Sequence, residues 1–117
     1  MRKNVVRERL KNNMQPILIT TTTSSKVEAE KIAALLVNRK LAACVNIIGP
    51  IQSLYVWKEK LVNDEEYKLF IKSFQEKWPQ IKEAVKDNHS YKVPEISMIL
   101  ISDMQDDYLS WMKQIIG

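Results

Sequence analysis

The sequence predicts an α+β domain on the split βαβ plan, β-α-β-β-α-β with one more helix at the C-terminus. Three observations predict it. Two long stretches repeat apolar residues at helical spacing. Each is flanked by β-branched or alternating stretches. And 117 residues suffice for one domain. In this plan the two long helices cover one face of an antiparallel sheet.

"PILITTTTS" reads as the first strand: short, β-branched and opened by Pro16. Ile17 to Ile19 are apolar without a gap, which fits a strand that is central or buried on both faces. "SSKVEAEKIAALLVNRKLA" is the first helix. Ser25 followed three residues later by Glu28 makes a capping box. Ala29, Ile32, Ala33 and Leu36 form its apolar face.

"AACVNIIGPIQSLYVW" is a long strand broken at Gly49-Pro50. Pro50 cannot donate to a ladder, so a bulge or bend is expected there. "KEKLVNDE" follows as a hairpin connection, with turn chemistry at Asn63-Asp64. In "EEYKLFIKS" Tyr67, Leu69 and Ile71 face one way and Lys68, Phe70 and Lys72 the other.

"EKWPQIKEAVKDNH" is the second helix, with Pro79 in its first turn and Trp78, Ile81, Ala84 and Val85 on its buried face. "PEISMILIS" is the fourth strand, and Pro94 fixes its start. "MQDDYLSWMKQIIG" closes as a helix with Asp106 and Asp107 near its positive end. Its apolar stripe reads Tyr108, Trp111, Met112 and Ile115.

A sheet covered by helices on one face shows polar residues on the other. Phe70 and the apolar run from Ile96 to Ile101 break that rule, so another subunit is the economical cover. In this plan the second and fourth strands are the edges. Pairing between two different edges is head-to-tail and must close into a ring or polymerise.

Charge gives no sign of a nucleic-acid partner. The net charge of +4 sits in residues 1–13, where Arg2, Lys3, Arg7, Arg9 and Lys11 face one acid, Glu8. The remainder balances. Residues 1–15 are expected to be a poorly ordered basic arm, and residues 16–117 the domain. No apolar run is long enough to insert in a membrane. The single cysteine, Cys44, excludes an internal disulfide and fits a reducing, cytoplasmic setting. With only Gly49 and Gly117, a glycine-rich phosphate loop is impossible. One His, one Cys and no Gly-x-Ser-x-Gly leave no nucleophilic triad, so no enzyme is expected.

At "KLAACVNI" with "GPI" and S-x-Y-x-W behind it, then L-x-IK, H-x-Y-x-x-PEI and YL-x-W, the chain resembles the CutA family of divalent-cation-tolerance proteins. The resemblance runs from about Ile17 to Trp111. It implies a ferredoxin-like fold, a compact homotrimer and a role in tolerance of copper and other divalent cations, with Cu(II) or another divalent cation as the bound ion and no organic cofactor. Animal members are further associated with membrane anchoring of acetylcholinesterase. Many members have Gly at the position of Glu59 and Thr at that of Ser73. A copper site in a bacterial member uses a cysteine and two adjacent histidines. Those positions hold Thr21, Asn88 and His89 here, so one of three ligands matches.

The candidate metal ligands are His89, Glu95 and Cys44. A lone histidine does not make a site, since tight copper or zinc binding needs three or four ligands. The bland alternative for His89 is a hydrogen-bonded residue at a helix end, and for Cys44 a small core side chain. Tyr55, Trp57, Lys72, Tyr91 and Glu95 match family motifs and can frame a ligand pocket or a subunit interface, with Lys72 pairing Glu95 or binding an anion. The expected function is a trimeric, non-enzymatic divalent-cation protein with sites at intersubunit clefts. The rivals are a small-molecule signalling trimer like the PII proteins, a trimeric scaffold for a protein partner, and an enzyme using Lys72 with Glu95.

Overall fold

A computed structural model describes residues 15–117 of the chain. The expectation of a basic arm falls on residues outside these, except for Gln15. The Gln15 amide donates to the carbonyls of Pro16 and Ile101.

The elements are β1 (Pro16–Thr23), α1 (Lys26–Asn38), β2 (Cys44–Trp57), β3 (Lys60–Phe74), α2 (Trp78–Asp87), β4 (Ser97–Leu100) and α3 (Asp106–Ile116). One turn of 3-10 helix, Gln75–Lys77, leads into α2. The sheet order is β2-β3-β1-β4, antiparallel throughout, so β2 and β4 are the edges.

β1 is central because its neighbours are β3 and β4. Ile17 and Ile19 are fully buried under the helices, while Leu18 turns to the other face and is half-buried. Leu69 and Ile71 of β3 join them, against Ala29, Ile32 and Leu36 of α1 and Ile81, Ala84 and Val85 of α2. Each large aliphatic side chain buried here stabilises the fold by roughly 1.5–3 kcal/mol.

Ser25 caps α1 by accepting the Glu28 N–H at 3.1 Å. The capping box is only half made. The Glu28 carboxylate leaves the cap and accepts from the Ser90 N–H at 2.8 Å and its hydroxyl at 3.1 Å. A tertiary partner with two donors outcompetes one backbone N–H.

The long hairpin departs from expectation in its turn. β3 begins at Lys60, and the ladder pairs Trp57 with Lys60, Val56 with Leu61 and Ser53 with Asp64. Asn63 and Asp64 therefore lie inside the strand. The turn is Lys58-Glu59, both at positive φ (50° and 67°). A two-residue turn of this hand matches the right-handed twist of the strands it joins. Cross-strand register, which pairs Asn63 and Asp64 with Leu54 and Ser53, outranked the turn preference of Asn and Asp, and the left-handed φ at Glu59 accounts for a position that favours glycine.

The expected irregularity at Gly49-Pro50 is present as a register shift between Ile48 and Ile51, across a cis bond. Gly49 is needed for close approach: a Cβ there would stand 2.9 Å from two ring carbons of Tyr67. Ser73 is fully buried and donates its hydroxyl to the Leu41 carbonyl at 2.6 Å.

α3 buries Leu109, Met112 and Ile116 against Ala43 and Phe74. The expected stripe is thus rotated: Trp111 and Ile115 are 40% and 37% exposed. α3 docks on the Phe74 end of the second sheet face, so the chain itself covers part of what another subunit was expected to hide. The rest stays open, with Ile48 and Ile99 about half exposed. β4 is shorter than "PEISMILIS", because only Ser97–Leu100 pair with β1. Pro94 stands three residues before it. No described helix is long and apolar enough to cross a membrane.

Candidate functional site

With the turn at Lys58-Glu59, the alternation of β3 puts Asp64, Glu66 and Lys68 on one side of the strand, in line with Phe70 and Lys72. Each of the three meets a partner. The Tyr55 hydroxyl donates to Asp64 across the hairpin. The Tyr91 hydroxyl donates to Glu66 at 2.7 Å, and Glu66 is buried. Lys68 donates to Glu95 at 3.2 Å. Tyr91 and Glu95 lie in the segment between α2 and β4, which wraps back to supply both.

Glu95 is a hub. Besides Lys68 it accepts from the Ser97 hydroxyl at 2.9 Å and the Thr20 hydroxyl at 3.3 Å. Partial burial pushes its carboxyl up, but the hydrogen bonds from Ser97, Lys68 and Thr20 and the Lys68 charge outweigh it, and the net shift is below the ordinary carboxylate value. The tyrosines move the other way. Burial, the hydrogen bond to Glu66 and the charges of Glu66 and Asp64 push the Tyr91 phenol far above the usual range. The hydrogen bond to Asp64 raises Tyr55. Both phenols stay protonated donors at neutral pH.

Lys72 is not the partner of Glu95. It pairs in register with Leu18 and Cys44, whereas Lys68 pairs with Thr22 and Ile48. The two lysines stand four positions apart along β3, roughly 13 Å. Lys72 instead lies over the Tyr108 ring of α3, 5.4 Å from its centroid. Cys44 is half-buried at that same end. Trp57 is 63% exposed at the hairpin tip. The structure therefore brings together Tyr55, Tyr91 and Glu95, and leaves Lys72, Cys44 and Trp57 elsewhere.

His89 has both ring nitrogens engaged by backbone. Nε2 lies 2.7 Å from the Thr22 carbonyl, and Nδ1 accepts the Tyr91 N–H at 3.1 Å. Its ring is 5.0 Å from that of Tyr91. Asn88 donates its amide to the Ala84 carbonyl at 2.8 Å. Thr21 is fully buried, and its hydroxyl has no hydrogen-bond partner. Thr21, Asn88 and His89 do not fit a copper ion: a buried hydroxyl, a committed amide and an imidazole without a spare nitrogen offer it nothing soft and free. Among the described residues, no three His, Cys, Asp or Glu side chains are grouped to hold a metal.

Sequence reasoning missed Asp64, Glu66, Lys68, Thr20 and Ser97 as members of this cluster. The period-two series Asp64, Glu66, Lys68 was the available signal, and assigning Asn63-Asp64 to a turn hid it. On the opposite side of the hairpin a concavity of about 470 Å³ is lined by Pro50, Ile51, Gln52, Asn63 and Glu65.

The profile described as "CutA1 divalent ion tolerance protein" matches residues 17–115. The divalent-cation tolerance protein CutA of Thermus thermophilus is 38% identical over 104 residues, covering 89% of this chain and 100% of that protein. The chloroplastic protein CutA of Arabidopsis thaliana is 39% identical over 83% of this chain and 53% of its own length. The structure of the periplasmic divalent cation tolerance protein CutA from Archaeoglobus fulgidus superposes with a TM-score of 0.84 at 36% identity, covering 87% of this chain and 99% of that one. A match over nearly the whole domain, in sequence and in fold alike, settles descent: the chain belongs to the CutA1 divalent ion tolerance family.

Proposed function

We propose that the chain serves divalent-cation tolerance as a non-enzymatic homotrimer, with ion or small-ligand sites in clefts between subunits. One observation carries the reading: the Asp64, Glu66 and Glu95 carboxylates border a sheet face that the chain leaves partly open, with Ile48 and Ile99 about half exposed. Exposed apolar surface beside two open strand edges asks for another copy of the chain. Since no described cluster of side chains can hold a metal alone, ligands from that copy would complete the site. The ion is Cu(II) or another divalent cation, and Glu95 is the residue assigned to it. We place the protein in the cytoplasm because a reducing compartment keeps Cys44 free, although chloroplast and periplasm occur among the names of its relatives.

A second reading, a PII-like signalling trimer that binds a small molecule, is favoured by the Glu95–Lys68 pair, which offers a polar ligand one charge of each sign. Calorimetric titration with Cu(II), Zn(II) and a panel of nucleotides separates the two. Metal binding that Glu95→Gln weakens at least tenfold, about 1.4 kcal/mol, supports the first reading. Nucleotide binding without metal binding supports the second, and metal binding indifferent to Glu95→Gln overturns the assignment.

A further inference from the structure

We propose that His89, the chain's only histidine, is a positioning residue that locks the segment bearing Tyr91 and Glu95 onto β1, held in its Nε2–H tautomer with no nitrogen left for a metal. The inference stands on the geometry of one chain and does not depend on the trimer.

The Thr22 carbonyl can only accept, so Nε2 must carry the proton in their 2.7 Å contact. The Tyr91 N–H can only donate, so Nδ1 must present its lone pair at 3.1 Å. Two opposed backbone groups thus select one neutral tautomer. A metal would need the Nδ1 lone pair, or Nε2 stripped of its proton. Either way it would leave a backbone group without its partner, at a cost of roughly 1–3 kcal/mol if buried.

The neighbours make the lock consequential. Ser90, next in the chain, gives two hydrogen bonds to Glu28 at the start of α1. Tyr91, held by His89, reaches Glu66 on β3. Four residues further on, Glu95 ties Lys68, Thr20 and Ser97. His89 is the point where this segment is fastened to the backbone of β1. Release it, and Tyr91 and Glu95 lose their registration with Glu66 and Lys68 on β3.

A single histidine makes the test clean. Long-range nitrogen–proton correlation of the full-length protein, free of metal and at neutral pH, should show a protonated Nε2 and an unprotonated Nδ1. An Nδ1–H tautomer or a mixture of the two overturns the proposal. Electron spin echo modulation with one equivalent of Cu(II) should lack imidazole nitrogen lines, and their appearance overturns it independently. In His89→Ala the Tyr91 amide should exchange with solvent at least tenfold faster. In His89→Asn that protection should return, because an Asn side chain can accept the N–H two residues on. Equal exchange in all three proteins also overturns it.

Discussion

Thr21 is the residue most at odds with its surroundings. It is fully buried beside Leu69, its partner in the ladder, yet its hydroxyl has no partner. Leaving a buried donor unpaired costs roughly 1–3 kcal/mol. Thr21→Val keeps the shape and removes the penalty, so denaturant unfolding should show a gain of about 1 kcal/mol. A loss would reveal a partner for the hydroxyl. Gly49→Ala should do the reverse, because the new methyl meets the Tyr67 ring. Overpacking of this kind costs about 1–3 kcal/mol, and an unchanged midpoint would mean the ring moves freely. Glu95 sets an acid dependence. Its folded pKa lies below the ordinary 4.5, so its contribution to stability is present above that value and fades as pH falls through the folded one. The side chain is about half exposed, and solvent screening keeps the effect small. Melts from pH 7 to pH 3 should therefore fall less steeply in Glu95→Gln than in the parent, and parallel curves would exclude this origin.

At the scale of elements the hairpin is the informative case. Glu59 holds φ of 67° in a turn where glycine is unstrained. A left-handed conformation costs a non-glycine residue roughly 1–2 kcal/mol. Glycine returns part of that through a freer unfolded chain. Glu59→Gly should then stabilise by about 0.5 kcal/mol, read as a raised melting temperature, and a lowered one would show that Glu59 has a role beyond the turn. β2, β3 and the β1 strand between β3 and β4 were legible because alternation and gapless runs depend only on nearest neighbours. The turn was not, because several stretches of "KEKLVNDEE" can turn and cross-strand register chooses among them. α3 was legible as a helix and misread in phase. Its apolar residues cover more than one face, and contact with Ala43 and Phe74 decided which residues went inside.

For the whole molecule, shape is the argument. The hairpin strands of 14 and 15 residues dominate a body of 52 × 26 × 22 Å. Leu54, Val56, Trp57 and Leu61 are all more than 60% exposed along that hairpin. Sedimentation at micromolar concentration should give three times the chain mass of 13.7 kDa. Ile99 sits on the open face at 52% exposure, so the chain's own packing can tolerate a charge there. Ile99→Lys should then lower the sedimenting mass while circular dichroism stays unchanged. A stable trimer of that variant would place the subunit contact elsewhere.

The sequence by itself determined the order of elements, the edge positions of β2 and β4, the break at Gly49-Pro50 and the family. All of these rest on local periodicity, on proline geometry or on ordered motifs. Only the tertiary structure decided who meets whom. Glu95 pairs with Lys68 and not Lys72, because the ladder sets the two lysines four residues apart along one strand. Glu28 leaves its cap for Ser90, 62 positions away in the chain. His89 lies between two backbone groups that use up its nitrogens. Contacts of that range are fixed by sheet register, and register is a property of paired strands that no single stretch of sequence contains.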